Sequence, residues 1–342
     1  MDKVNLTLNY LHQEGSPLYQ ERVPQATRDN IKEVGNAILT YDAITNEFIT
    51  NLINKVALTE VLTSSPESVF GEFIGQDLMT GDTIESIFVK IAKSNTFEGD
   101  DLADGDTLDP FKVSKPAVEV AYHRVDRKTY YTVTVQEANI KNAFTSTGKF
   151  SDFVNGIILS LRDGAEYDLY VDGLELLDRD GKDGKTNIYG KKDELGVFND
   201  AKEMAKAINA AIKNHTTYMA FTRDEYNALN VKTRTPKSDM VVFVRADIKD
   251  LVDTELLANV FNPAKLDAGV KVKEIDEFID GNQVVAILDA RHIKINHSVR
   301  KTTNQVNARG LYTNYFSHIH RLVSYNPFAN AAKISAKLEL AK

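Results

Sequence analysis

Three stretches near the C-terminus carry the most specific pattern in this sequence. They are VVAILDARHIKI at residues 284–295, LYTNYFSHIH at 311–320 and SYNPFANA at 324–331. Their β-branched and aromatic residues predict strands over Val284–Leu288, Ile293–Ile295 and Leu311–Val323. The C-terminal part of the chain is therefore predicted to be rich in strands.

A long amphipathic helix is the clearest element upstream of these strands. Ser151 is a favourable N-cap, and Asp152 suits the positive end of the helix dipole. The apolar stripe consists of Val154, Ile157, Ile158, Leu161, Ala165, Leu169 and Leu176. We predict a helix over residues 151–178, which at about 1.5 Å per residue is roughly 40 Å long. Such a length is more typical of elongated or assembling proteins than of small enzymes.

Residues 71–136 are predicted to form a long two-stranded excursion with an acidic tip. Strand patterns cover 84–93, 117–124 and 129–135, with a hairpin or a tight return between the last two. Residues 98–109 contain six acidic residues, no basic residue and two glycines, which predicts a mobile loop. An isolated two-stranded ribbon is marginally stable in water, so it needs a surface to lie on, and a neighbouring subunit can provide one.

The remaining segments predict a mixture of helices and strands. Residues 1–24 are polar and broken by Gly and Pro, which predicts an extended, irregular arm. A helix capped by Thr27 follows, with kinks expected at Gly35 and Thr40–Tyr41 and an end at Ser64-Ser65-Pro66. Further helices are predicted at 200–213, 223–229 and 248–259, and further strands at 218–221, 240–244 and 270–272. Because helices and strands do not alternate regularly, we predict an α+β fold rather than a doubly wound sheet.

Composition excludes several classes of protein. The 342 residues include no Cys, which rules out disulfide scaffolds, thiolate metal sites and cysteine nucleophiles. No apolar run approaches the roughly 18 residues of a membrane-spanning helix, and the first residues lack the character of a signal peptide.

The net charge of −8 gives no global basic field for nucleic acid, and it conceals an asymmetry. Residues 291–342 hold nine basic residues and one acidic residue, so this segment carries +8 and the first 290 residues carry −16. A chain with such a division can attract copies of itself, although two solvated faces of a monomer would have the same charges.

Three patterns suggest site chemistry and fail on spacing or context. The Gly184-Lys185-Thr186 motif has an arginine where a phosphate-binding loop needs its first glycine. The aspartates of residues 178–183 miss the register of a calcium loop. His318 and His320 share a strand face and could hold a metal ion together, but no carboxylate lies near them in sequence. We therefore predict no catalytic residue, no cofactor and no metal site, and we expect that the protein is not an enzyme.

The order of these features resembles that of tailed-phage major capsid proteins with the Hong-Kong-97-type fold. The C-terminal stretches are similar to those of capsid proteins from small short-tailed phages. In those proteins a Leu-Asp-Ala-Arg strand precedes an aromatic strand and a final Ser-Pro-Phe-Ala-Asn-Ala segment, whereas here Asn326 stands in place of that serine. The resemblance implies an N-terminal arm and helix over 1–70 and an extended β loop over 71–136. It further implies a peripheral domain with a spine helix from 137–180 and 288–342, and an axial domain over 181–287.

The resemblance also implies a function. A chain of this family would self-assemble, as hexamers and pentamers, into an icosahedral head shell that encloses packaged double-stranded DNA. It would assemble in the host cytoplasm and form part of the virion. It would contact the packaged DNA non-specifically and have no membrane partner. A separate scaffolding protein and a portal would be its partners, because no fused scaffolding domain of about 100 residues precedes the arm. The Lys–Asn cross-link of some relatives is not carried over, since no asparagine is singled out as a partner of Lys90 or Lys93.

The charge asymmetry indicates where copies could meet. The predicted inter-subunit contacts join the acidic tip, Asp100, Asp101, Asp104 and Asp106, to the C-terminal bases Arg300, Lys301 and Arg309. Two alternatives stay open: a related nanocompartment or other phage structural protein, and a soluble enzyme with scattered carboxylates. The enzyme predicts a small oligomer with a pocket of perturbed acids, whereas a shell subunit predicts large particles in the electron microscope.

Overall fold

The computed structural model describes residues 3–27, 30–58, 68–78, 83–92, 115–145, 147–178, 188–251 and 270–339. The helices are α1 Lys3–Glu14, α2 Pro17–Arg22, α3 Ile31–Leu39, α4 Asp42–Leu58, α5 Glu137–Ala143, α6 Thr147–Leu177, α7 Ala201–Met219 and α8 Ala246–Leu251. The strands are β1 Thr83–Val89, β2 Val118–Arg124, β3 Arg127–Gln136, β4 Lys191–Phe198, β5 Met240–Arg245, β6 Lys271–Ile275, β7 Gln283–Asp289, β8 Ile293–Asn307, β9 Tyr312–Tyr325 and β10 Ala331–Leu338. They form sheets in the orders β1-β2, β3-β9-β8 and β4-β10-β7-β5-β6. The predicted α+β class is confirmed.

The described residues divide into two compact units. The first takes them from Met1–Asp82, Val125–Gly173 and Ile295–Val323, and the second takes them from Thr83–Arg124, Leu174–Lys294 and Ser324–Lys342. None of the described helices is long and apolar enough to cross a bilayer.

Three aromatic rings form the centre of the first unit. Phe48, Phe144 and Phe150 are buried, with ring centroids 5.1 to 6.2 Å apart. Gly35 makes room for one of them, because a Cβ there would lie 2.3 Å from the ring of Phe144. The expected kink at Gly35 is therefore wrong, since this glycine serves close packing inside α3, whereas the expected break at Thr40–Tyr41 separates α3 from α4.

The predicted irregular arm is wrong where the structure describes it, because residues 3–22 form two packed helices. Leu8 and Leu11 bury one side of α1 at helical spacing. Ser16 caps α2, with Pro17 at the first helical position. The backbone N–H and hydroxyl of Ser16 donate to the carboxylate of Glu47, at 2.5 and 2.9 Å, which fixes the arm against α4. The Gly-Ser-Pro sequence therefore forms the junction between two helices and does not prevent helix formation on either side. The helix predicted from Thr27 begins four residues later, at Ile31, after Asn30.

Of the three strands predicted within residues 71–136, two pair with each other and the third belongs to another sheet. β2 pairs antiparallel with β1, from Thr83 opposite Arg124 to Val89 opposite Val118. β3 instead pairs antiparallel with β9 and belongs to the first unit. The return at residues 125–126 thus joins two different sheets, and the hairpin alternative is wrong. The acidic loop over 98–109 and the helix end at 64–66 lie outside the described residues.

The long helix α6 begins at Thr147, one turn before the predicted cap at Ser151. Its 31 residues make it about 46 Å long at roughly 1.5 Å per residue. Val154, Ile157 and Leu161 of the predicted stripe lie in the core of the first unit. Residues 179–187, which follow it, lie outside the described part of the chain.

A five-stranded mixed sheet forms the core of the second unit. β10 runs parallel to β4 and antiparallel to β7, and β5 runs antiparallel to β7 and parallel to β6. Every residue of β7 is buried, and α7 packs against this sheet with Asp200 as its N-cap. β10 thus shares one sheet with β4 and β7, which are more than 40 positions away in sequence.

In the second unit, two predictions are wrong and two strands were missed. Tyr218 and Met219 end α7 instead of starting a strand, and residues 223–229 form turns instead of a helix. β4 and β10 were not predicted, because KKDELGVF is largely charged and AAKISAKL has the composition of a helix. Residues 252–259 of the predicted helix 248–259 are outside the described ranges.

Candidate assembly surfaces

The ribbon of β1 and β2 has one exposed face that is largely apolar. Side chains alternate along both strands, so the cross-strand pairs Ile87–Val120 and Val89–Val118 lie on the same face. Its large apolar members are 40% to 66% exposed: Ile87, Val89, Val118, Val120 and Tyr122. Exposed apolar clusters of this kind mark surfaces that another molecule covers.

The opposite face of the ribbon is anchored within the second unit. Phe88 stacks on Phe328, with ring centroids 5.4 Å apart and planes 18° from parallel. The ring of His123 lies 2.9 Å from the hydroxyl of Ser86 through Nε2 and 2.9 Å from that of Ser324 through Nδ1. Burial, together with the nearby charge of a lysine, lowers the pKa of His123. The histidine is therefore neutral near pH 7 and fixes the ribbon base while the apolar face stays exposed.

The two strands of the ribbon were predicted from the sequence, but its exposed apolar face was missed. The available signal was the presence of large apolar residues at both odd and even positions, since Ile84 and Phe88 alternate with Ile87 and Val89. A two-stranded ribbon can bury only one face against its own subunit. Apolar residues on both faces therefore indicate a second contact.

A second exposed surface is the open face of the sheet β3-β9-β8 in the first unit. Tyr130 is 62% exposed and lies 5.9 Å from Phe316 and 5.8 Å from His318, between ring centroids. The hydroxyl of Thr303 on β8 is 3.0 Å from Nε2 of His318. This face combines aromatic and polar side chains, the composition that is typical of protein interfaces.

Hydrogen bonds and ion pairs tie α6 to the opposite face of the same sheet. Tyr131 donates its hydroxyl to Asp168 at 2.6 Å, and burial raises the pKa of Tyr131 to about 12, so the phenol stays a donor. Arg321 donates to the carbonyl of Ala165 at 2.8 Å and lies 3.5 Å from the carboxylate of Asp172. The helix α6 therefore stabilises one face of this sheet, and the opposite face stays open.

The predicted basic contact residues lie along the outer half of β8 and at its turn to β9. Arg300 and Lys301 are exposed on β8, and Arg300 forms an ion pair with Asp77 at 3.3 Å. Arg309 is exposed in the turn, where Asn307 accepts hydrogen bonds from the backbone N–H groups of residues 309 and 310. The structure places all three on one hairpin. Their predicted acidic partners Asp100, Asp101, Asp104 and Asp106 lie outside the described residues, so the contact stays a prediction.

The histidine pair shares a strand face, as its spacing predicts. His318 is opposite Tyr130 and His320 is opposite Lys128, two steps along the same ladder. Among the described residues, no cluster of three or more His, Asp or Glu side chains is arranged to hold a metal ion. The phosphate-loop pattern lies outside the part of the chain that the structure describes, and so does the calcium-loop pattern after Asp178.

The chain matches the family model of the Phi29-like phage major capsid protein over residues 8–335. The major capsid protein of Bacillus phage B103 is 28% identical over 324 residues, which cover 95% of this chain and 71% of that protein. The major capsid protein of Streptococcus phage Cp-1 is 26% identical over 350 residues and covers 94% of this chain and 92% of its own length.

The fold is similar to that of solved phage capsids. The capsid structure of Staphylococcus phage Andhra superposes with a TM-score of 0.62 at 11% identity, over 81% of this chain and 86% of the other. The predicted Hong-Kong-97-type architecture is thereby confirmed as a fold. The family match supports the capsid prediction over the nanocompartment and enzyme alternatives. From its sequence and its fold, the chain belongs to the Phi29-like phage major capsid protein family.

Proposed function

We propose that copies of this chain assemble into an icosahedral head shell that encloses double-stranded DNA, and that the ribbon β1-β2 makes the principal contact between copies. Family membership makes the chain a structural component of a phage virion. The observation that carries the mode of assembly is the exposed apolar face of the ribbon. A subunit with this face stays incomplete until a neighbour covers it.

The energy available from this face is sufficient to drive weak, repeated contacts. Fully burying a Val or Ile side chain contributes about 1.5–3 kcal/mol. Five half-exposed side chains therefore contribute several kcal/mol per subunit, from which the ordering of side chains and the loss of translational freedom must be subtracted. A modest net free energy for each contact suits a shell, because many identical contacts act together and wrong contacts can still dissociate.

The first experiment places a charge on the apolar face. We expect Ile87→Asp to raise at least tenfold the protein concentration needed for shell formation, since a carboxylate would be buried opposite Val120. Val197→Asp is the matched control, because Val197 is equally exposed in the same unit but lies on β4. Particle formation is followed by sedimentation and electron microscopy, and far-ultraviolet circular dichroism checks the fold of dispersed subunits. Normal shells from folded Ile87→Asp protein would contradict the proposal.

We propose that the predicted charge contacts orient the ribbon on its neighbour. In this arrangement the acidic tip reaches the neighbour's hairpin of β8 and β9, where the exposed bases lie. We expect Arg300→Glu with Lys301→Glu to block assembly, and Asp100→Lys with Asp101→Lys to restore it in the same chain. Restored shells would support direct pairing of these groups. If the variant with all four substitutions does not assemble although its dispersed subunits are folded, that pairing is refuted.

The remaining partners follow from the proposed role. We propose a separate scaffolding protein, a portal and non-specific contact with packaged DNA, with assembly in the host cytoplasm and a structural rather than enzymatic role. The assignment of segments to arm, extended loop, peripheral and axial domains stays a prediction. Uniform closed shells of correct size from the purified chain alone would refute the separate scaffolding protein.

A further inference from the structure

A cleft in the second unit joins positively charged side chains to aromatic rings. Its volume is about 330 Å³, and it is lined by residues of β1, by residues 232–234, by Asp289 and Arg291 at the end of β7, and by residues 326 and 328–330. The contacts proposed above use only its edge, at Ile87.

Arg291 is held in this cleft by a buried carboxylate. Its Nε and Nη2 donate to the two oxygens of Asp289, at 2.9 and 2.7 Å, and Thr235 donates its hydroxyl to the same group at 2.7 Å. Although burial raises the pKa of Asp289, these hydrogen bonds outweigh it and lower the pKa overall. The carboxylate is therefore charged and fixes the guanidinium. Because a guanidinium has five N–H donors, Arg291 keeps donors for a second anion at little further cost in side-chain entropy.

Lys232 and Arg234 add two further positive charges to the cleft lining. Both side chains are exposed, and neither forms a hydrogen bond or an ion pair with another residue in the described ranges. Three cations thus accompany one carboxylate that is already neutralised by its own arginine. A cleft with this surplus attracts an anion.

Much of the remaining lining is apolar. The stacked rings of Phe88 and Phe328 contribute to it, and so does Ile87. Ile87 belongs both to the cleft and to the exposed face of the ribbon, so the two surfaces are continuous. An acidic side chain on an apolar peptide uses both parts of the cleft, whereas a nucleic-acid backbone would use only the cations.

We propose that this cleft binds a carboxylate side chain of a second copy of the chain, at the contact that also covers the ribbon. The inference rests on the proposed self-assembly and adds a specific anchor to it. Charge complementarity supports this occupant, because the first 290 residues of every copy carry a net charge of −16. The volume is at the lower end of that of small-molecule sites, which suits one side chain and its neighbours.

The absence of Cys allows a direct test with single-cysteine protein. Lys232→Cys carries a short photoreactive maleimide, and isotopically heavy and light subunits are assembled together and irradiated. We expect cross-linked peptides that join heavy to light copies close to Asp or Glu residues. Links confined to one copy, or links to DNA in particles assembled with DNA, would overturn the proposal.

Charge reversal provides a second readout. We expect Lys232→Glu with Arg234→Glu to raise at least tenfold the concentration required for assembly. Lys202→Glu with Lys206→Glu is the matched control, because it makes the same change in charge on the exposed side of α7. Wild-type protein that forms no shells even when a scaffolding protein is supplied would refute self-assembly itself. If wild type and the cleft variant form shells at the same concentration, the proposed anchor in the cleft is refuted and self-assembly is not. This holds also if a mobility-shift assay shows that the variant has lost DNA binding.

Discussion

Removing the carboxylate of Asp172 should loosen the packing of α6 on β9. The Nη1 of Arg321 lies 3.5 Å from one oxygen of Asp172, and the Nε of Arg127 lies 3.1 Å from the other. The side chain of Arg321 is only 3% exposed, whereas that of Arg127 is 31% exposed. In the variant Asp172→Ala, Arg127 can turn to solvent, but Arg321 would keep a buried charge without its carboxylate.

The expected cost follows from this difference in burial. Removing one partner of a buried ion pair typically costs about 3–5 kcal/mol, because the other charge is left unpaired in a medium of low polarity. Asp172 is itself 14% exposed, and Arg321 keeps its hydrogen bond to the carbonyl of Ala165. We therefore expect about 3 kcal/mol, which corresponds to roughly a hundredfold increase in local opening.

Hydrogen exchange of dispersed subunits, followed by mass spectrometry, measures this opening peptide by peptide. We expect Asp172→Ala to accelerate exchange in β9 and α6 about a hundredfold and to leave β5 and β7 unchanged. Asp163→Ala is the control, since Asp163 is exposed on the same helix and its loss should change the free energy by less than about 0.5 kcal/mol.

A second variant tests the physical reason. Asp172→Leu combined with Arg321→Met replaces the pair by apolar side chains of similar volume, and we expect it to recover most of the lost protection. The reasoning is refuted if Asp172→Ala accelerates exchange in β9 less than fivefold, or if the double variant is no better protected than the single one.

Three further predictions concern the fold. Gly35→Ala should lower the free energy of unfolding by about 1–3 kcal/mol, because its Cβ would overlap an aromatic ring. Gly156→Ala, with open space around it, should stabilise α6 by about 0.5–1 kcal/mol, and thermal midpoints distinguish the two variants. Leu11→Ala should cost about 2–5 kcal/mol in urea unfolding and the exposed Leu6→Ala almost nothing, and equal effects would contradict a packed α1. Burial lowers the pKa of His292 to about 4, so the unfolded chain binds the proton more readily and stability should fall from pH 6.5 to pH 4. Because burial also lowers the pKa of His297 to about 4, His292→Gln should make that profile less steep, which thermal melts at pH 7 and pH 5 measure.

The sequence predicted best the elements whose signal is local. The long helix, the strands β1, β5, β7 and β9, and the α+β class follow from residue periodicity over ten to thirty positions. Prediction failed where composition and environment disagree. Lys333 lies buried in β10, paired with Asp280 at 2.5 Å, although a lysine within an alanine-rich segment favours an exposed helix. The N-terminal helices failed for the opposite reason, since Gly and Pro at a helix junction were interpreted as breaks.

The sequence by itself determined that this chain has no cysteine chemistry, that its charge is divided between its two parts, and that its element order and C-terminal stretches resemble those of phage capsid proteins. Only the tertiary structure decided that β2 and β3 belong to different sheets, that one ribbon face is uncovered, and that Arg291 meets Lys232 in one cleft. The reason is physical. Periodicity reports the faces of one element, whereas pairing and burial depend on which distant segments meet, as Arg321 and Asp172 do across 149 positions of the chain.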